Sequence, residues 1–217
     1  MANVEKMHTY LRGFLTGAGM SEAIKALQYA RKAHEGQTRR SDNSPYIVHP
    51  LGMACYAVAL GLRDENIIST ILLHDVIEDC DKQVEYLPVN DTVKRAVKYM
   101  TITTFDTDTS KIETKCRYFN ELLDCPEALI CKALDRYNNL TDMPANFTTD
   151  GTAKNIAETE VLLLPVLKKA KEKYPELADI LFVLRTNLSS LCEAIKPQCY
   201  GEWTKWNCIY KREDAKE

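Results

Sequence analysis

Apolar residues recur every three or four positions along most of the chain, a spacing that places them on one face of an α-helix. In residues 21–34 this stripe consists of Ala23, Leu27 and Ala30. Ser21 stands before the stripe, where a serine side chain commonly caps the first turn of a helix. We therefore predict a helix over residues 21–34 with Ser21 as its N-cap.

The same spacing predicts further helices over residues 50–60, 65–78, 91–100, 110–123, 126–143, 152–174 and 175–195. Asp64 is expected to cap the helix that follows it. Residues 101–109 are too rich in threonine and aspartate to continue the pattern, and no strong alternation typical of strands is found in the sequence. The sequence therefore predicts an all-α bundle of seven to ten helices. We expect one domain over residues 1–196 and a C-terminal tail over 197–217.

Composition and charge narrow the class of protein. Hydrophobic residues make up 45% of the chain and charged residues 27%, values that exclude a disordered or low-complexity protein. The 28 lysines and arginines are outnumbered by 31 aspartates and glutamates, so the surface as a whole is a poor match for DNA or RNA. Apolar runs fall far short of the ~20 residues that span a membrane, and the N-terminal residues lack the apolar core of a signal peptide. We therefore expect a cytoplasmic protein with no nucleic-acid or membrane partner.

The eight cysteines contain no Cys-x-x-Cys pair and no zinc-finger spacing. In a reducing compartment, a chain that is long enough to bury a sizeable core has no need of disulfides. We therefore expect free thiols, with four disulfides as the less favoured alternative.

The densest group of ionisable residues stands at the end of the helix predicted over residues 65–78. On a continuous helix Glu78 would share a face with His74 and Asp75, and Asp79 would share one with Asp75. Carboxylates at a helix C-terminus are disfavoured by the helix dipole, so a positive charge is expected nearby. A divalent cation would satisfy this need, and a solvated polar helix end is the alternative.

A second acidic position occurs on the helix predicted over residues 126–143. Asp135 and Asn139 are four residues apart and therefore share a face, beside the apolar stripe of that helix. A buried carboxylate requires a partner, which either a metal or Arg136 could supply. Of the four histidines, His34 and His49 stand near helix ends, where a lone histidine is most often structural.

Three segments of the sequence resemble one family. They are AHEGQTRRSDNSPYIVHPLGMA (33–54), LLHDVIEDC (72–80) and KALDRYNNL (132–140). Together they reproduce the H…HD…D pattern of the HD-domain metal phosphohydrolases, and they are most similar to the hydrolase domain of RelA/SpoT enzymes and small alarmone hydrolases. The resemblance covers about residues 20–195 and implies an HD-domain helical bundle. It does not extend to the synthetase domain that neighbours the hydrolase in RelA/SpoT enzymes. It therefore implies a stand-alone hydrolase.

The resemblance also implies roles for individual residues. Four of them are implied to be ligands of one Mn²⁺ per chain: His49, His74, Asp75 and Asp135. Glu78 and Asp79 are implied to be catalytic, since they would orient and deprotonate water or protonate the leaving oxygen. Five others are implied to bind the substrate: Arg39, Arg40, Tyr46, Lys132 and Asn139. The softness of this ligand set does not exclude Zn²⁺ or Fe²⁺.

The activity that the resemblance implies is hydrolysis of the 3′-pyrophosphate of guanosine tetra- and pentaphosphate, giving GDP or GTP and pyrophosphate. Such an enzyme lowers the level of an alarmone of the stringent response, and its partner is a small nucleotide. Two alternatives are an HD phosphohydrolase acting on another nucleotide, such as the 2′-phosphate of NADPH, and a nucleotide-binding module without turnover. The loop over 40–45 is one residue longer than the family pattern, so we expect looser discrimination between guanine and adenine.

Overall fold

The structure, a computed structural model, describes residues 3–39, 42–80, 82–101 and 111–214. Within these ranges the chain is helical and forms no strand, apart from one isolated bridge between Thr38 and Pro45. The prediction of an all-α fold is therefore confirmed. Arg40 and most of the segment predicted to be non-helical, 102–109, lie outside the described residues.

The chain forms two compact units, Met1–Thr101 and Ile102–Glu217. The helices of the first unit are α1 (Val4–Gly17), α2 (Ser21–Ala33), α3 (Val48–Ala59), α4 (Glu65–Leu73), α5 (Val76–Asp79) and α6 (Asp91–Met100). Those of the second are α7 (Lys111–Glu121), α8 (Pro126–Asn146), α9 (Thr149–Glu158), α10 (Leu164–Lys173), α11 (Ala178–Ile195) and α12 (Tyr200–Asp214). Both units contribute residues to the domain predicted over 1–196, and that boundary stays a prediction.

Helix α4 is the centre of the first unit. Every residue from Ile67 to Leu73 is buried, and the helix packs against α2, α3 and α6. Its N-terminus is capped as predicted, because the Asp64 carboxylate accepts a hydrogen bond of 2.9 Å from the backbone N–H of Ile67. The helix is thus held on three sides, and its C-terminal end reaches into the interior of the unit.

The start of α2 differs from the prediction. Ser21 is the first helical residue and forms no capping hydrogen bond, so its assignment as N-cap is wrong. The Glu65 side chain takes over this role from α4, because its Oε1 atom accepts from the backbone N–H groups of Glu22 (2.6 Å) and Ala23 (3.2 Å). A residue 42 positions further along the chain therefore caps the helix, which local sequence does not reveal.

The second unit is built around the long helix α8. Eight of the nine residues over 128–136 are buried, and Lys132 is half-buried. Helix α11 packs against α8 and α10, and α9 packs against α8 and α12. The helix predicted over 152–174 is divided, because a π-helical turn at Thr159–Leu163 separates α9 from α10. The segment predicted as a tail over 197–217 contains α12, which packs on α7 and α9 and buries Tyr210 completely.

All eight cysteines lie within the described residues, and none of them forms a disulfide there. Five of them are buried: Cys116, Cys125, Cys131, Cys192 and Cys199. Cys55 and Cys80 are half-buried, and Cys208 on α12 is exposed. In the part of the chain that the structure describes, no helix is both long and apolar enough to cross a membrane.

Candidate functional site

Two buried imidazole rings face each other in the first unit. His49 lies in the first turn of α3 and His74 follows the last residue of α4, and the two residues are only 5% and 2% exposed. Their Nε2 atoms are 3.3 Å apart. His74 Nδ1 lies 2.8 Å from the carbonyl oxygen of Ile71, which can only accept, so Nδ1 carries the hydrogen. In the neutral ring, His74 Nε2 is therefore a lone-pair donor directed at the same point as His49 Nε2.

The carboxylate of Asp75 joins this pair. Its Oδ2 atom lies 2.9 Å from His74 Nε2 and 3.6 Å from His49 Nε2. On a continuous helix, adjacent side chains point about 100° apart. The helix predicted over 65–78 is instead interrupted at residues 74–75, which form a turn between α4 and α5. Both residues of this turn keep right-handed helical backbone angles, and their side chains nevertheless come within 2.9 Å of each other.

The donor set at this point fits a divalent metal ion. Neutral imidazole nitrogen and carboxylate oxygen are ligands that Mn²⁺, Fe²⁺ and Zn²⁺ all accept. The Nε2 atoms of His49 and His74, 3.3 Å apart, can be bridged either by the hydrogen of a His49 Nε2–H group or by a metal ion. The cluster of His49, His74 and Asp75 can therefore hold a metal, as the sequence predicts for these three residues.

Tyr46 fixes the orientation of Asp75. Its hydroxyl donates a hydrogen bond of 2.6 Å to Asp75 Oδ2, and its ring stacks on His34 with centroids 4.9 Å apart. Burial, followed by the carboxylates of Asp75 and Asp79, raises the pKa of Tyr46 far above its ordinary value. The hydroxyl therefore remains a hydrogen-bond donor. The sequence predicts substrate binding for Tyr46, whereas the contact that the structure provides is with Asp75.

Two residues that the sequence analysis left without a role support this arrangement. His34 Nδ1 lies 2.8 Å from Gln37 Oε1, and Gln37 Nε2 donates to the backbone carbonyl of Asp79 at 2.7 Å. The Sγ atom of Cys80 lies 3.3 Å from His34 Nδ1. The end of α2 is thus tied to the end of α5 through side chains. His34 and Gln37 both belong to the segment AHEGQ, which resembles the family, but the resemblance assigned them no role.

Glu78 and Asp79 lie on α5, directly after the cluster, and both are exposed. The backbone N–H of Asp79 donates to the carbonyl of Asp75 at 2.9 Å, so the helical spacing between these two residues is retained. The predicted spacing of Glu78 from His74 assumed a continuous helix, and the turn at residues 74–75 interrupts that helix. Two solvent-accessible carboxylates therefore stand beside a buried donor cluster.

The second unit contains the other predicted acidic residue. Asp135 on α8 is buried, and its carboxylate accepts from Lys132 Nζ at 3.0 Å and from Asn139 Nδ2 at 2.7 Å. Although burial opposes it, the Asp135 carboxylate raises the pKa of Lys132 above its ordinary value. The structure thus brings together three residues that the sequence assigns to the site. Arg136, the other partner considered for Asp135, is paired with Glu158.

A cavity of about 230 Å³ opens beside Asp135 within the second unit. Its lining residues are Lys115, Tyr118, Phe119, Lys132, Asp135, Arg136, Asn139, Asn155 and Glu158. Glu158 pairs with both Lys115 and Arg136, and it accepts a 3.0 Å hydrogen bond from the Tyr210 hydroxyl. Sequence reasoning missed this network, because its members stand in ordinary helical patterns far apart in the chain.

The loop that carries the predicted basic pair is narrow. Arg39 N donates to the carbonyl of Ser44 at 2.8 Å, and Asn43 N donates to the carbonyl of Arg39 at 3.0 Å. Asn43 adopts a positive φ of 56°, a left-handed conformation that asparagine tolerates better than most residues. Arg39 is half-buried, and its predicted neighbour Arg40 lies outside the described residues.

Comparison with known proteins first shows a likeness to one family. Residues 26–119 match a family model described as the HD domain. The all-α fold and the adjacent His74–Asp75 pair in the cluster agree with that match. Residues 26–119, less than half of the chain, are therefore similar to the HD domain, as the resemblance of the sequence implies.

Individual relatives of the chain have names that specify an activity. The chain is 43% identical over 74 residues to a guanosine-3′,5′-bis(diphosphate) 3′-pyrophosphohydrolase of Vibrio cholerae, covering 34% of this chain and 10% of that protein. It is 28% identical over 132 residues to the human protein of the same name, MESH1, covering 58% of this chain and 72% of that one. The chain spans about a tenth of the length of the bacterial relatives from Vibrio cholerae and Escherichia coli.

A solved structure also resembles the chain. It is described as "A metazoan ortholog of SpoT hydrolyzes ppGpp and plays a role in starvation responses". The TM-score is 0.58 at 24% sequence identity, and the match covers 82% of this chain and 94% of the other. At this level of identity, the likeness supports the fold.

Proposed function

We propose that the protein is a metal-dependent phosphohydrolase that removes the 3′-pyrophosphate of guanosine tetra- and pentaphosphate. The products are GDP or GTP and pyrophosphate. The observation that carries the proposal is the buried cluster of His49, His74 and Asp75, with two exposed carboxylates next to it. The names of the bacterial and human relatives support this substrate over other nucleotides. We also propose that the protein acts in the cytoplasm.

The proposed metal is one Mn²⁺ per chain, held by His49, His74, Asp75 and Asp135. Asp135 is included because its place in the segment KALDRYNNL matches the family pattern and because it is a buried carboxylate. When bound, such an ion lowers the pKa of water and polarises a phosphoryl oxygen. Zn²⁺ and Fe²⁺ are the alternatives that metal analysis of the purified protein would reveal.

The remaining residues position the substrate and move protons. Glu78 and Asp79 are proposed to take a proton from the attacking water and to protonate the leaving 3′ oxygen. Arg39, Arg40 and Lys132 are proposed to attract the phosphates, since the chain as a whole carries a formal charge of −3. Asn139 would hydrogen-bond the sugar, and Tyr46 would hold Asp75 in place through its 2.6 Å contact.

A nucleotide panel tests the proposal. The purified protein is incubated with Mn²⁺ and, separately, with ppGpp, pppGpp, the adenine 3′-pyrophosphate analogue and NADPH, and the products are separated by chromatography. We expect GDP or GTP and pyrophosphate, with turnover abolished by a chelator and by His74→Ala. If phosphate is released from NADPH and no other nucleotide is hydrolysed, the substrate is NADPH and not ppGpp. If a nucleotide binds and none is hydrolysed, the protein is a binding module and not an enzyme.

The same panel tests base discrimination. The longer loop over 40–45 leads us to expect that the adenine analogue is hydrolysed with a kcat/KM within about 10-fold of that for ppGpp, which corresponds to about 1.4 kcal/mol. A stricter preference for guanine would contradict this expectation and leave the hydrolase proposal intact.

A further inference from the structure

Two lysines line the 230 Å³ cavity beside Asp135. Lys115 lies on α7 and Lys132 on α8, so separate helices bring the two ammonium groups to one space. Their side chains are 24% and 18% exposed, and both residues line the cavity. The cavity is therefore large enough to hold a small group and carries cationic donors on two of its sides.

Each ammonium group has hydrogen-bond donors to spare. Among the described residues, Lys115 pairs with Glu158 and Lys132 pairs with Asp135, each through a single carboxylate oxygen. An ammonium group carries three N–H donors, so two remain on each lysine for a ligand or for water. Arg136 is more fully engaged, because three of its five N–H donors are directed at Glu158 and at both oxygens of Asn155. Each of the two lysines thus offers most of its N–H donors to a ligand in the cavity.

The formal charge of the cavity favours an anion. Three cations, Lys115, Lys132 and Arg136, face the two carboxylates of Asp135 and Glu158, which leaves one positive charge in excess. Burial lowers the pKa of Lys115, and the Glu158 carboxylate counteracts this effect. An anionic group in the cavity would further favour the protonated form of the lysine.

The position of Lys115 is set by the protein itself. Its partner Glu158 is 2% exposed and is held from two other directions, by Arg136 and by the Tyr210 hydroxyl at 3.0 Å. Tyr210 belongs to α12 and is completely buried. A ligand that binds the lysine therefore does not have to order it first, which reduces the free-energy cost of binding.

We propose that Lys115 and Lys132 form a subsite for a phosphate group, and that Lys115 determines specificity for a substrate with a second phosphorylated position. A phosphoryl group suits this subsite because it offers several acceptor oxygens to donors that come from different sides. The inference rests on the proposed function for the identity of the substrate. The binding of a phosphate group to the cavity can be tested apart from turnover.

The first experiment measures binding of pyrophosphate to the full chain with its metal by titration calorimetry, after removal of free metal. Lys115→Met keeps the length of the side chain and removes its charge, so we expect the Kd to rise at least about 10-fold. Lys115→Arg restores a cation and should recover most of the affinity. Lys168→Met is the matched control, because Lys168 is an exposed lysine of the same unit and does not line the cavity. Equal Kd values for the wild type and Lys115→Met would overturn the proposal.

A second measurement uses the wild-type protein and does not depend on how well a variant folds. A lysine-reactive reagent is applied with and without pyrophosphate, and modification is located by mass spectrometry. We expect pyrophosphate to protect Lys115 and Lys132 and to leave Lys168 unchanged. Modification of Lys115 at the same rate in both samples would contradict the subsite.

Kinetics separate this inference from the proposed function. With ppGpp as substrate, Lys115→Met should raise KM about 10-fold and change kcat by less than about 3-fold, because uniform binding is lost. If ppGpp is hydrolysed and neither KM nor pyrophosphate affinity responds to Lys115→Met, the subsite fails and the proposed function stands. If pyrophosphate binding depends on Lys115 and no turnover occurs, the subsite stands and the proposed function fails.

Discussion

The Nδ1 atom of His74 donates to the carbonyl oxygen of Ile71, one turn earlier in α4. This hydrogen bond fixes both the tautomer and the orientation of the ring, as is common for histidines that bind metals. The Tyr46 hydroxyl likewise fixes the orientation of the Asp75 carboxylate by donating a hydrogen bond to it. At the scale of single residues, the cluster is therefore prepared for a cation by contacts made outside it.

Metal ligands and proton-transfer groups should respond differently to substitution. Glu78→Gln and Asp79→Asn should keep the metal and lose at least ~10²-fold in rate, the lower end of general acid–base contributions. His74→Ala and Asp135→Ala should lose the metal and the activity together. Metal analysis of each purified variant, combined with its rate of ppGpp hydrolysis, checks both expectations. Rates near wild type for the Glu78 and Asp79 variants would show that their proposed roles are wrong.

The sequence identified the chemistry of the individual residues better than their contacts. The resemblance singled out His49, His74 and Asp75, and the structure brings these three together. The sequence did not reveal the supporting roles of His34 and Gln37, because a lone histidine and a lone glutamine carry no spacing signal. Contacts between side chains from different helices depend on packing, which periodicity does not describe.

At the scale of helices, agreement is best where capping residues and apolar spacing coincide. Helix α6 occupies Asp91–Met100 as predicted. Helix α1 was missed, because charged residues and glycine interrupt its few apolar positions. The break between α4 and α5 was also missed, since Val76 and Ile77 continue the apolar pattern across it. The spacing of apolar residues predicts which residues are buried, but it does not predict a local turn of the backbone.

Asp64, which caps a helix, and Ser21, which does not, allow a matched test of helix capping. Asp64→Ala removes the acceptor for the Ile67 N–H and should lower the free energy of unfolding by about 1 kcal/mol. Ser21→Ala is the control, because Ser21 is exposed and caps nothing, and it should change stability by less than about 0.5 kcal/mol. Urea unfolding of both variants makes the comparison. If Ser21→Ala lowers the free energy of unfolding as much as Asp64→Ala does, the Ser21 side chain contributes to the stability of α2.

For the whole molecule, a bound metal should favour the folded state by mass action. At a free metal concentration 100 times the Kd, the stabilisation is about 2.7 kcal/mol. For a chain of this size we expect a chelator to lower Tm by about 5 to 10 °C. Differential scanning calorimetry with and without chelator measures the effect. His74→Ala should melt at the same temperature in both conditions, and a chelator effect that persists in this variant would place the metal elsewhere.

Stability in acid should depend on Glu158. Burial opposes its ionisation, but Arg136 and Lys115 outweigh burial and hold its pKa at about 2, below the ordinary 4.5. Because the folded-state pKa is lowered, this stabilisation is complete above pH 4.5 and is lost as the pH falls towards 2. Its magnitude is on the order of 3 kcal/mol.

Glu158→Gln should therefore be less stable than the wild type at neutral pH and should show a flatter dependence of stability on pH between about 4.5 and 2. Glu172→Gln provides the control, since Glu172 is an exposed glutamate of the same unit. Urea midpoints measured across this pH range give the comparison. Parallel curves for the wild type and Glu158→Gln would contradict the buried ion pairs.

The distribution of thiols has a practical consequence for following α12 in solution. Alkylating reagents react with the thiolate, and burial raises the pKa of Cys55 to about 11 and that of Cys192 to about 12. Cys208 is the exposed cysteine, and it lies on the helix that carries Tyr210. A maleimide fluorophore added at low stoichiometry should therefore attach to α12 in the native protein. The anisotropy of the fluorophore would then report whether α12 is packed on α7 and α9 or detached from them, without any substitution in the sequence.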